Sequence, residues 1–320
     1  MQELKAFIKD DIARVASLME RSLRSDIGLL QDCNKHIMDN GGKMVRPILT
    51  VLMAKAVGEC NDNTIRFAVT GELIHNATLL HDDVVDSSSS RRGAKTVSAM
   101  LGPRPSVLLG DYWLAKGLME IAGGGKDAFR VLDCYCKTLC DLSRGEMLQL
   151  EMASSGATTR EDYLNIIYSK TASLFQAAAL AGAISAQASE EQEEAASAYA
   201  KYIGLAFQIK DDILDYEGDS ALGKPTGQDI REKKITLPLL CAFEGDPEGE
   251  KAIREKLVAG GPSATEEIMD YVALRGGCAA AKQWVEQYID KAREALDVFL
   301  ESPAKRHLLY LADYVGARNY

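Results

Sequence analysis

The chain of 320 residues is long enough to bury a large core without disulfides or a structural metal. Its formal net charge is −10, from 37 basic and 47 acidic residues, and this balance argues against a nucleic-acid-binding surface. The seven cysteines are irregularly spaced and the N-terminal residues show no signal-peptide pattern, so we expect a protein of the reducing cytoplasm.

Helical periodicity runs through the sequence from its first residues. Apolar residues recur at intervals of three and four over residues 1–23, 46–58, 65–83, 128–153 and 195–216. No alternating run bounded by turns indicates a hairpin, and the gaps rich in glycine and proline are too short to be interdomain linkers. The pattern predicts one all-α domain over residues 1–320, with roughly a dozen helices.

Two further features are interpreted as parts of the core. The small, apolar run over residues 173–189 is interrupted by polar residues and is too short for a comfortable membrane span, so we expect a core helix and no transmembrane segment. Cys134, Cys136 and Cys140 have no nearby histidine and lack zinc-type spacing. We therefore predict that they are buried helix thiols.

Three aspartates stand within five residues in LLHDDVVDSSSSRRG, residues 79–93. On a helix, Asp82 and Asp86 share a face with Asp83 close beside them, and like charges at that spacing repel each other. A solvated acidic face would explain the cluster. Val84 and Val85 within the motif favour a packed surface around the acids instead.

The same pattern recurs in FQIKDDILDYEGD, residues 207–219. Asp211, Asp212 and Asp215 repeat the spacing, and Gln208 lies about one turn earlier. Magnesium binds carboxylate oxygens and often completes its coordination with substrate phosphates. Two such clusters therefore predict metal ions that allow a negatively charged protein to bind a negatively charged ligand.

Basic residues accompany both acid clusters. Each of them alone would be interpreted as solvated surface, but their placement near the acids favours a phosphate ligand, which arginine and lysine side chains bind well. These residues are Lys43, Arg46, Arg91, Arg92, Lys170, Lys224 and Lys234.

Taken in order, the motifs resemble those of the trans-isoprenyl diphosphate synthases, the family of farnesyl, geranylgeranyl and polyprenyl diphosphate synthases. The resemblance is to the polyprenyl, long-chain type and extends from GGKMVRP to KKITLPLL, with weaker similarity on either side. The shared segments are ELIHNATLLHDDVVD, RRG, VLLGDYWLA, GEMLQ, KTASLF, FQIKDDILD and LGKPTGQDI.

The resemblance implies a single helical bundle of the isoprenoid synthase type, with a deep central cavity and the two aspartate motifs facing each other across its mouth. It implies three Mg²⁺ ions per active site, two held by Asp82 and Asp86 and one by Asp211, with Asp215 and Gln208 close by. The residues implied to bind the allylic diphosphate are Arg91, Lys170, Lys224 and Lys234. Those implied to bind isopentenyl diphosphate are Lys43, Arg46, His75 and Arg92.

The implied reaction condenses isopentenyl diphosphate with an allylic diphosphate, head to tail and repeatedly. The product would be a medium-to-long-chain all-trans polyprenyl diphosphate for a quinone side chain, made by a homodimer and delivered to membrane enzymes. The alternatives are a short-chain farnesyl or geranylgeranyl diphosphate synthase, a class I terpene cyclase and a non-catalytic subunit of a heteromeric synthase. Such a subunit tends to lose aspartates from the motifs, whereas this chain keeps all six.

Three departures from the family pattern leave the predicted metal ligands in place. Met44 stands where the family usually has another basic residue, and Lys233 occupies a frequent glycine position. The turn at residues 102–106 is GPRPS instead of the usual Gly-Asn-Lys type.

Product length is predicted from the residues just before the first motif. Ala77 and Thr78 are small, whereas short-chain members of the family often carry aromatic rings at these positions. Ala77 would lie about 7 Å along the helix from Asp82, where a growing prenyl tail first meets the cavity wall. Without a ring there, the tail can extend further. The alternative is that Ala77 only allows close helix packing.

Overall fold

The computed structural model describes residues 2–218 and 226–318, and this part of the chain is almost entirely α-helical. The first helices are α1 (Gln2–Phe7), α2 (Lys9–Leu23), α3 (Gly28–Asp39), α4 (Val45–Val57), α5 (Asp62–Val85), α6 (Val97–Leu101), α7 (Pro103–Ala122) and α8 (Ala128–Ser155). They are followed by α9 (Arg160–Ile167), α10 (Ser173–Ser185), α11 (Glu190–Glu217), α12 (Gln228–Arg231), α13 (Leu237–Ala242), α14 (Pro247–Ala259), α15 (Pro262–Leu274), α16 (Gly277–Ala295) and α17 (Pro303–Ala317). Two strands, β1 (Ser90–Arg91) and β2 (Ala94–Lys95), lie between α5 and α6, and a π-helical turn (Tyr168–Ala172) joins α9 to α10.

The all-α prediction is confirmed, with two differences in detail. The described residues form seventeen α-helices instead of about a dozen, because four helices have six residues or fewer and are too short to produce a periodic pattern. The antiparallel pair β1–β2 is a small hairpin that we did not predict, since strands of two residues cannot show an alternating run.

Contacts between Cα atoms divide the chain into two compact units. The first unit consists of Met1–Cys136, Ala177–Ala196 and Phe299–Leu308. The second consists of Lys137–Gln176, Ser197–Val298 and Leu309–Tyr320. A single domain over the whole chain therefore stays a prediction.

Helix α5 organises the first unit. It begins with a capping box, in which Thr64 N donates a hydrogen bond to Asn61 Oδ1 (3.0 Å) and Asn61 N donates one to Thr64 Oγ1 (3.1 Å). The helix packs against α7, α4 and α2, and most of its residues are buried. A helix covered by three neighbours is fixed in position, and its C-terminal end carries the first acid motif.

Glycines bring α5 and α7 close together. A Cβ atom at Gly117 would lie 3.4 Å from Ile74, and one at Gly110 would overlap the ring of His81. The hydroxyl of Thr70 donates a hydrogen bond to the Gly117 carbonyl at 3.1 Å. The side of α5 that faces α7 therefore passes through Thr70, Ile74 and His81.

In the second unit, two glycines make room for the π-helical turn. A Cβ atom at Gly145 of α8 would lie 2.5 Å from Ser169 Cβ, and one at Gly204 of α11 would lie 2.5 Å from Ala172 Cα. Both distances are well below the separation of about 3.5–4.0 Å that carbon atoms prefer. Only glycine at these positions allows the helix backbones to approach the turn this closely.

The predictions of a core helix and of buried thiols have different outcomes. Helix α10 is largely buried, as predicted for a core helix. The prediction of buried thiols is wrong for Cys136 and Cys140, which are exposed, and Cys134 is partly exposed. The buried positions between Cys134 and Cys140 are those of Tyr135 and Thr138, since neighbouring helical positions point in different directions. Within the described ranges, no helix combines the length and the apolar character that a membrane span requires.

Candidate active site

The first acid motif ends α5. Asp82 is partly exposed, and Asp86 is exposed at the C-cap of the helix. Asp83 is only 4% exposed, and its Oδ1 accepts a hydrogen bond from Arg91 Nε at 2.8 Å. Carboxylates at a helix C-terminus lie at the negative end of the helix dipole, so this arrangement favours a bound cation.

The β1–β2 hairpin explains the RRG motif. Its two turn residues, Arg92 and Gly93, have φ angles of 54° and 80°, the left-handed conformation typical of a two-residue hairpin loop. The turn leaves Arg91 in position to contact Asp83. The guanidinium group of Arg92 lies against Gly42, where a Cβ atom would come within 2.7 Å of it.

Three predicted arginines act electrostatically on the predicted ligand His75 in the first unit. Burial lowers the pKa of His75 well below its usual value, and the charges of Arg46, Arg92 and Arg91 lower it further. Burial also lowers the pKa of Arg46 to about 10, against the opposing effect of Glu72. The charges that act on His75 indicate that the three arginines lie near it, in a region suited to an anion.

Two departures from the family pattern occupy left-handed backbone positions. Met44, at the N-cap of α4, has a φ of 50°, and the predicted ligand Lys43 beside it is exposed. Lys233 has a φ of 59°. A left-handed residue favours glycine, which explains why glycine is frequent at the position of Lys233.

The second acid motif lies near the C-terminal end of α11. Asp211 is partly exposed and forms an ion pair with Arg318. The two carboxylate oxygens of Asp215 accept hydrogen bonds from the backbone N–H groups of Gln228 (3.0 Å) and Asp229 (2.9 Å). Asp215 therefore holds the start of α12 against the end of α11.

Asp212 is the buried member of the second motif, with 4% exposure. Its Oδ2 accepts a hydrogen bond from the hydroxyl of Tyr163 (2.6 Å), and its Oδ1 accepts one from Gln208 Nε2 (2.9 Å). Burial and the charge of Asp229 raise the pKa of Asp212 to about 8. Burial also raises the pKa of Asp229 to about 6, against the opposing effect of Lys234.

A cavity of about 170 Å³ in the second unit borders these residues. Lys170, on the π-helical turn, contacts Glu146 Oε2 at 2.5 Å and donates a hydrogen bond to Gln149 Oε1 at 3.1 Å. Lys234 lies 4.0 Å from Asp229 Oδ1. Side chains of both charges therefore line the cavity, which is suited to a ligand that carries an anion together with a cation.

The predicted residues divide between the two units. The first unit contains Asp82, Asp86, Lys43, Arg46, His75, Arg91 and Arg92. The second contains Asp211, Asp215, Gln208, Lys170 and Lys234. Lys224 lies outside the described residues. The approach of the two motifs across a central cavity stays a prediction.

Several side chains in the second unit were not predicted. Asp229 and Gln149 lie within the quoted segments LGKPTGQDI and GEMLQ, so the sequence carried a signal for both. Glu146, the ion-pair partner of Lys170, lies in GEMLQ as well. Tyr163 carried no signal, because a tyrosine at helical spacing is usually a core residue whose hydroxyl needs a partner.

The donor atoms fit magnesium. Within residues 2–218 and 226–318, no three His, Cys, Asp or Glu side chains already converge on a metal site. Asp82 and Asp86 nevertheless offer hard oxygen donors on one helical face. Magnesium commonly takes only one or two protein carboxylates and fills its other positions with water and phosphate oxygens.

The two residues proposed to set product length lie on different sides of α5. Ala77 is 1% exposed and lies on the side that faces α7, between the contacts of Ile74 and His81. Thr78 is partly exposed and lies one helical turn before Asp82, on the same face. Ala77 is therefore a buried position of α5, and Thr78 lies on the side that carries the predicted metal ligands. The role of both residues in product length stays a prediction.

Comparisons with known proteins identify the family of this chain. The polyprenyl synthetase family model matches residues 28–274, well over half of the chain. The octaprenyl diphosphate synthase of Escherichia coli (strain K12) is 37% identical over 322 residues, which covers 100% of this chain and 99% of that protein. The chain belongs to the polyprenyl synthetase family.

Solved structures support membership of the polyprenyl synthetase family. A decaprenyl diphosphate synthase from Rhodobacter capsulatus has a TM-score of 0.94 and 36% identity, covering 100% of this chain and 99% of that one. A polyprenyl synthase from Caulobacter crescentus, complexed with calcium and isoprenyl diphosphate, has a TM-score of 0.92 and 34% identity, covering 100% and 98%. The predicted enzyme class, a trans-prenyltransferase of the polyprenyl diphosphate synthase type, is confirmed.

Proposed function

We propose that the protein condenses isopentenyl diphosphate with an allylic diphosphate repeatedly and releases a medium-to-long-chain all-trans polyprenyl diphosphate. The observation that carries the proposal is that each acid motif is accompanied by cations in its own unit. The first motif holds Arg91 through Asp83, and the cavity beside the second is lined by Lys170 and Lys234. Relatives named octaprenyl and decaprenyl diphosphate synthase support a long product.

We assign three magnesium ions to the acid motifs. Asp82 and Asp86 would hold two of them, and Asp211 would hold the third with Asp215 nearby. When bound, the ions would neutralise the negative charge that develops on the departing diphosphate. The calcium and isoprenyl diphosphate in the Caulobacter crescentus structure support the use of a divalent metal. Gln208 donates a hydrogen bond to Asp212 and lines the cavity, which supports a role close to the metal ligands.

The cations divide between the two substrates. Arg91, Lys170 and Lys234, together with Lys224, would bind the allylic diphosphate. Isopentenyl diphosphate would bind to Lys43, Arg46, His75 and Arg92. Because the pKa of His75 is lowered, its imidazole is neutral at neutral pH and offers an N–H donor without adding charge.

The proposed reaction breaks the C–O bond between the allylic carbon and its diphosphate. The double bond of isopentenyl diphosphate then attacks the allylic cation, a C–C bond forms, and a proton leaves the neighbouring carbon. The released diphosphate would accept that proton. Exclusion of water from the prenyl-binding cavity would protect the cation from hydrolysis.

The homodimer is also part of the proposal. Leu108 is 69% exposed and Met119 is 63% exposed, and their spacing places them on one face of α7. Phe129, near the start of α8, is 79% exposed. Large exposed apolar side chains in the first unit suit a subunit interface. The dimer would work in the cytoplasm and pass its product to membrane enzymes that attach quinone side chains.

The test is product formation by the purified chain alone. Incubation with Mg²⁺, isopentenyl diphosphate and an allylic primer, followed by chromatography of the dephosphorylated products, should show chains well beyond geranylgeranyl length. A chelator added to a parallel reaction should abolish them. Products that stop at farnesyl or geranylgeranyl length would identify a short-chain synthase, and a cyclic hydrocarbon would identify a terpene cyclase. The lack of any prenyl product would favour a non-catalytic subunit.

A further inference from the structure

A continuous chain of hydrogen bonds runs through the interior of the second unit. The hydroxyl of Thr171 donates to Gln208 Oε1 at 2.7 Å, and Gln208 Nε2 donates to Asp212 Oδ1 at 2.9 Å. The hydroxyl of Tyr163 donates to Asp212 Oδ2 at 2.6 Å. The chain connects the π-helical turn, α11 and α9, and so joins the helix of the second acid motif to the segment that carries Lys170.

Asp212 is oriented toward this network. It is 4% exposed, Tyr163 is 2% exposed, and each carboxylate oxygen of Asp212 accepts a hydrogen bond from a neighbouring side chain. Asp211, next to it in the sequence, is partly exposed and is the residue to which the proposed function gives a metal ion. The adjacent aspartates therefore occupy different environments.

We propose that Asp212 and Tyr163 are positioning residues that hold the second acid motif at a fixed distance from Lys170, and that Asp212 does not bind metal. This inference rests on the proposed function, which assigns Asp211 to a metal ion and Lys170 to the allylic diphosphate. Asp212 acts through Gln208 and Thr171, the residue that follows Lys170 in the π-helical turn.

Lys170 is held at two points. Its Nζ contacts Glu146 and Gln149 of α8, which fix the end of the side chain. Its backbone is fixed through the hydroxyl of the neighbouring Thr171. A π-helical turn is an uncommon conformation that is often found at functional sites. Without the hydrogen bond between Thr171 and Gln208, the Lys170 ammonium group would stay paired with Glu146 on α8. The distance between this ammonium group and the acid motif on α11 would then vary.

Asparagine at position 212 separates positioning from metal binding. The amide oxygen of the Asp212→Asn side chain can accept from Tyr163, and its NH₂ group can donate to Gln208 if that amide turns over. The NH₂ group of Gln208 then donates to the Thr171 hydroxyl, which can accept as well as donate. The network stays complete in this variant, although the negative charge that a metal ligand needs is lost.

The experiment compares Tyr163→Phe, Asp212→Asn and Asp212→Ala with Asp211→Asn as the matched control, at a temperature where circular dichroism shows each variant folded. Tyr163→Phe should raise the KM for the allylic primer by about tenfold and leave the KM for isopentenyl diphosphate within about twofold, because the buried hydrogen bond between Tyr163 and Asp212 is lost. Asp212→Ala should show the same selective rise in KM. Asp212→Asn should stay within about threefold of the wild type for both substrates, whereas Asp211→Asn should lose turnover.

A binding measurement provides a readout that does not depend on turnover. Calorimetric titration of inorganic pyrophosphate in the presence of Mg²⁺ should give similar affinities for the wild type and Asp212→Asn, and a loss of about tenfold or more for Asp211→Asn. If Asp212→Asn proved as defective as Asp211→Asn in both the kinetic assay and the titration, the inference would be overturned and Asp212 would be assigned to the metal. A Tyr163→Phe enzyme with both KM values unchanged would reduce the network to a purely structural role. Failure of the wild-type chain to make any prenyl product would instead refute the proposed function, and the pyrophosphate titration would still decide the role of Asp212.

Discussion

Substitution of Gly204 by alanine tests whether close packing around the π-helical turn sets the activity. In an exposed helix the change would stabilise the protein by about 1 kcal/mol, because alanine has the higher helix propensity. Here the new Cβ atom would lie 2.5 Å from Ala172 Cα and 2.8 Å from Ala172 Cβ. Carbon atoms prefer a separation of about 3.5–4.0 Å, so the turn would have to withdraw by about 1 Å.

The expected loss of stability follows from these distances. Overpacking a buried site typically costs about 1–3 kcal/mol, and the upper end applies because the nearest atom belongs to the backbone of Ala172. After subtraction of the propensity gain, we expect the free energy of unfolding to fall by about 2 kcal/mol. Because Ala172 and Lys170 belong to the same turn, the displacement should also lower turnover by about 100-fold.

Urea unfolding followed by circular dichroism measures the stability, and steady-state kinetics at a temperature where the variant is folded measures turnover. Gly28→Ala is the control, since a Cβ atom there would meet nothing within 4 Å, and both quantities should stay close to wild type. Gly145→Ala approaches the π-helical turn from α8, 2.5 Å from Ser169 Cβ, and should reproduce both effects. A Gly204→Ala enzyme with wild-type turnover and equal or greater stability would refute the reasoning.

Three further predictions follow from the proposed function. Asp82→Ala and Asp211→Ala should each lower turnover by orders of magnitude in assays with saturating Mg²⁺, because each removes a ligand of an ion that neutralises the leaving group. Near-normal turnover in either variant would contradict the three-ion assignment. Chromatography of the Thr78→Tyr products should show a shift toward farnesyl or geranylgeranyl length, with the first condensation retained. Ala77→Tyr should cause the same shift together with a loss of stability of about 1–3 kcal/mol, because Ala77 is buried. An unchanged product distribution in both tyrosine variants would remove these positions from the control of chain length. Light scattering should report a dimer that Leu108→Asp dissociates, and a monomeric wild-type protein would disprove the assembly.

Much of the site could be predicted because its chemistry is local in the sequence. A spacing of four residues places Asp82 and Asp86 on one helical face in any helix, whatever surrounds it. The recurrence of the spacing at Asp211 and Asp215 predicted a second cluster for the same reason. The RRG motif was noticed for its charge, but its hairpin was missed because two-residue strands show no periodicity.

Burial could not be predicted in the same way. The spacing of four residues leaves Asp83 and Asp212 outside the pairs Asp82–Asp86 and Asp211–Asp215. Nothing in the sequence indicated that Arg91 would pair with Asp83 and Tyr163 with Asp212. The three clustered cysteines illustrate the same limit, since two of them proved to be exposed. Helical periodicity gives the direction of each side chain around its own axis but does not identify the neighbour that covers it.

The sequence by itself determined the all-α class, the membership of the polyprenyl synthetase family and the spacing of the carboxylates along their helices, since these depend on local periodicity and on motif spacing. Only the tertiary structure decided that Ala77 is buried while Thr78 is partly exposed, and that Gly145 and Gly204 make room for the π-helical turn of Lys170. These features depend on contacts between residues far apart in the chain. Such contacts are set by how helices pack together, and the pattern within a single helix does not specify its partner.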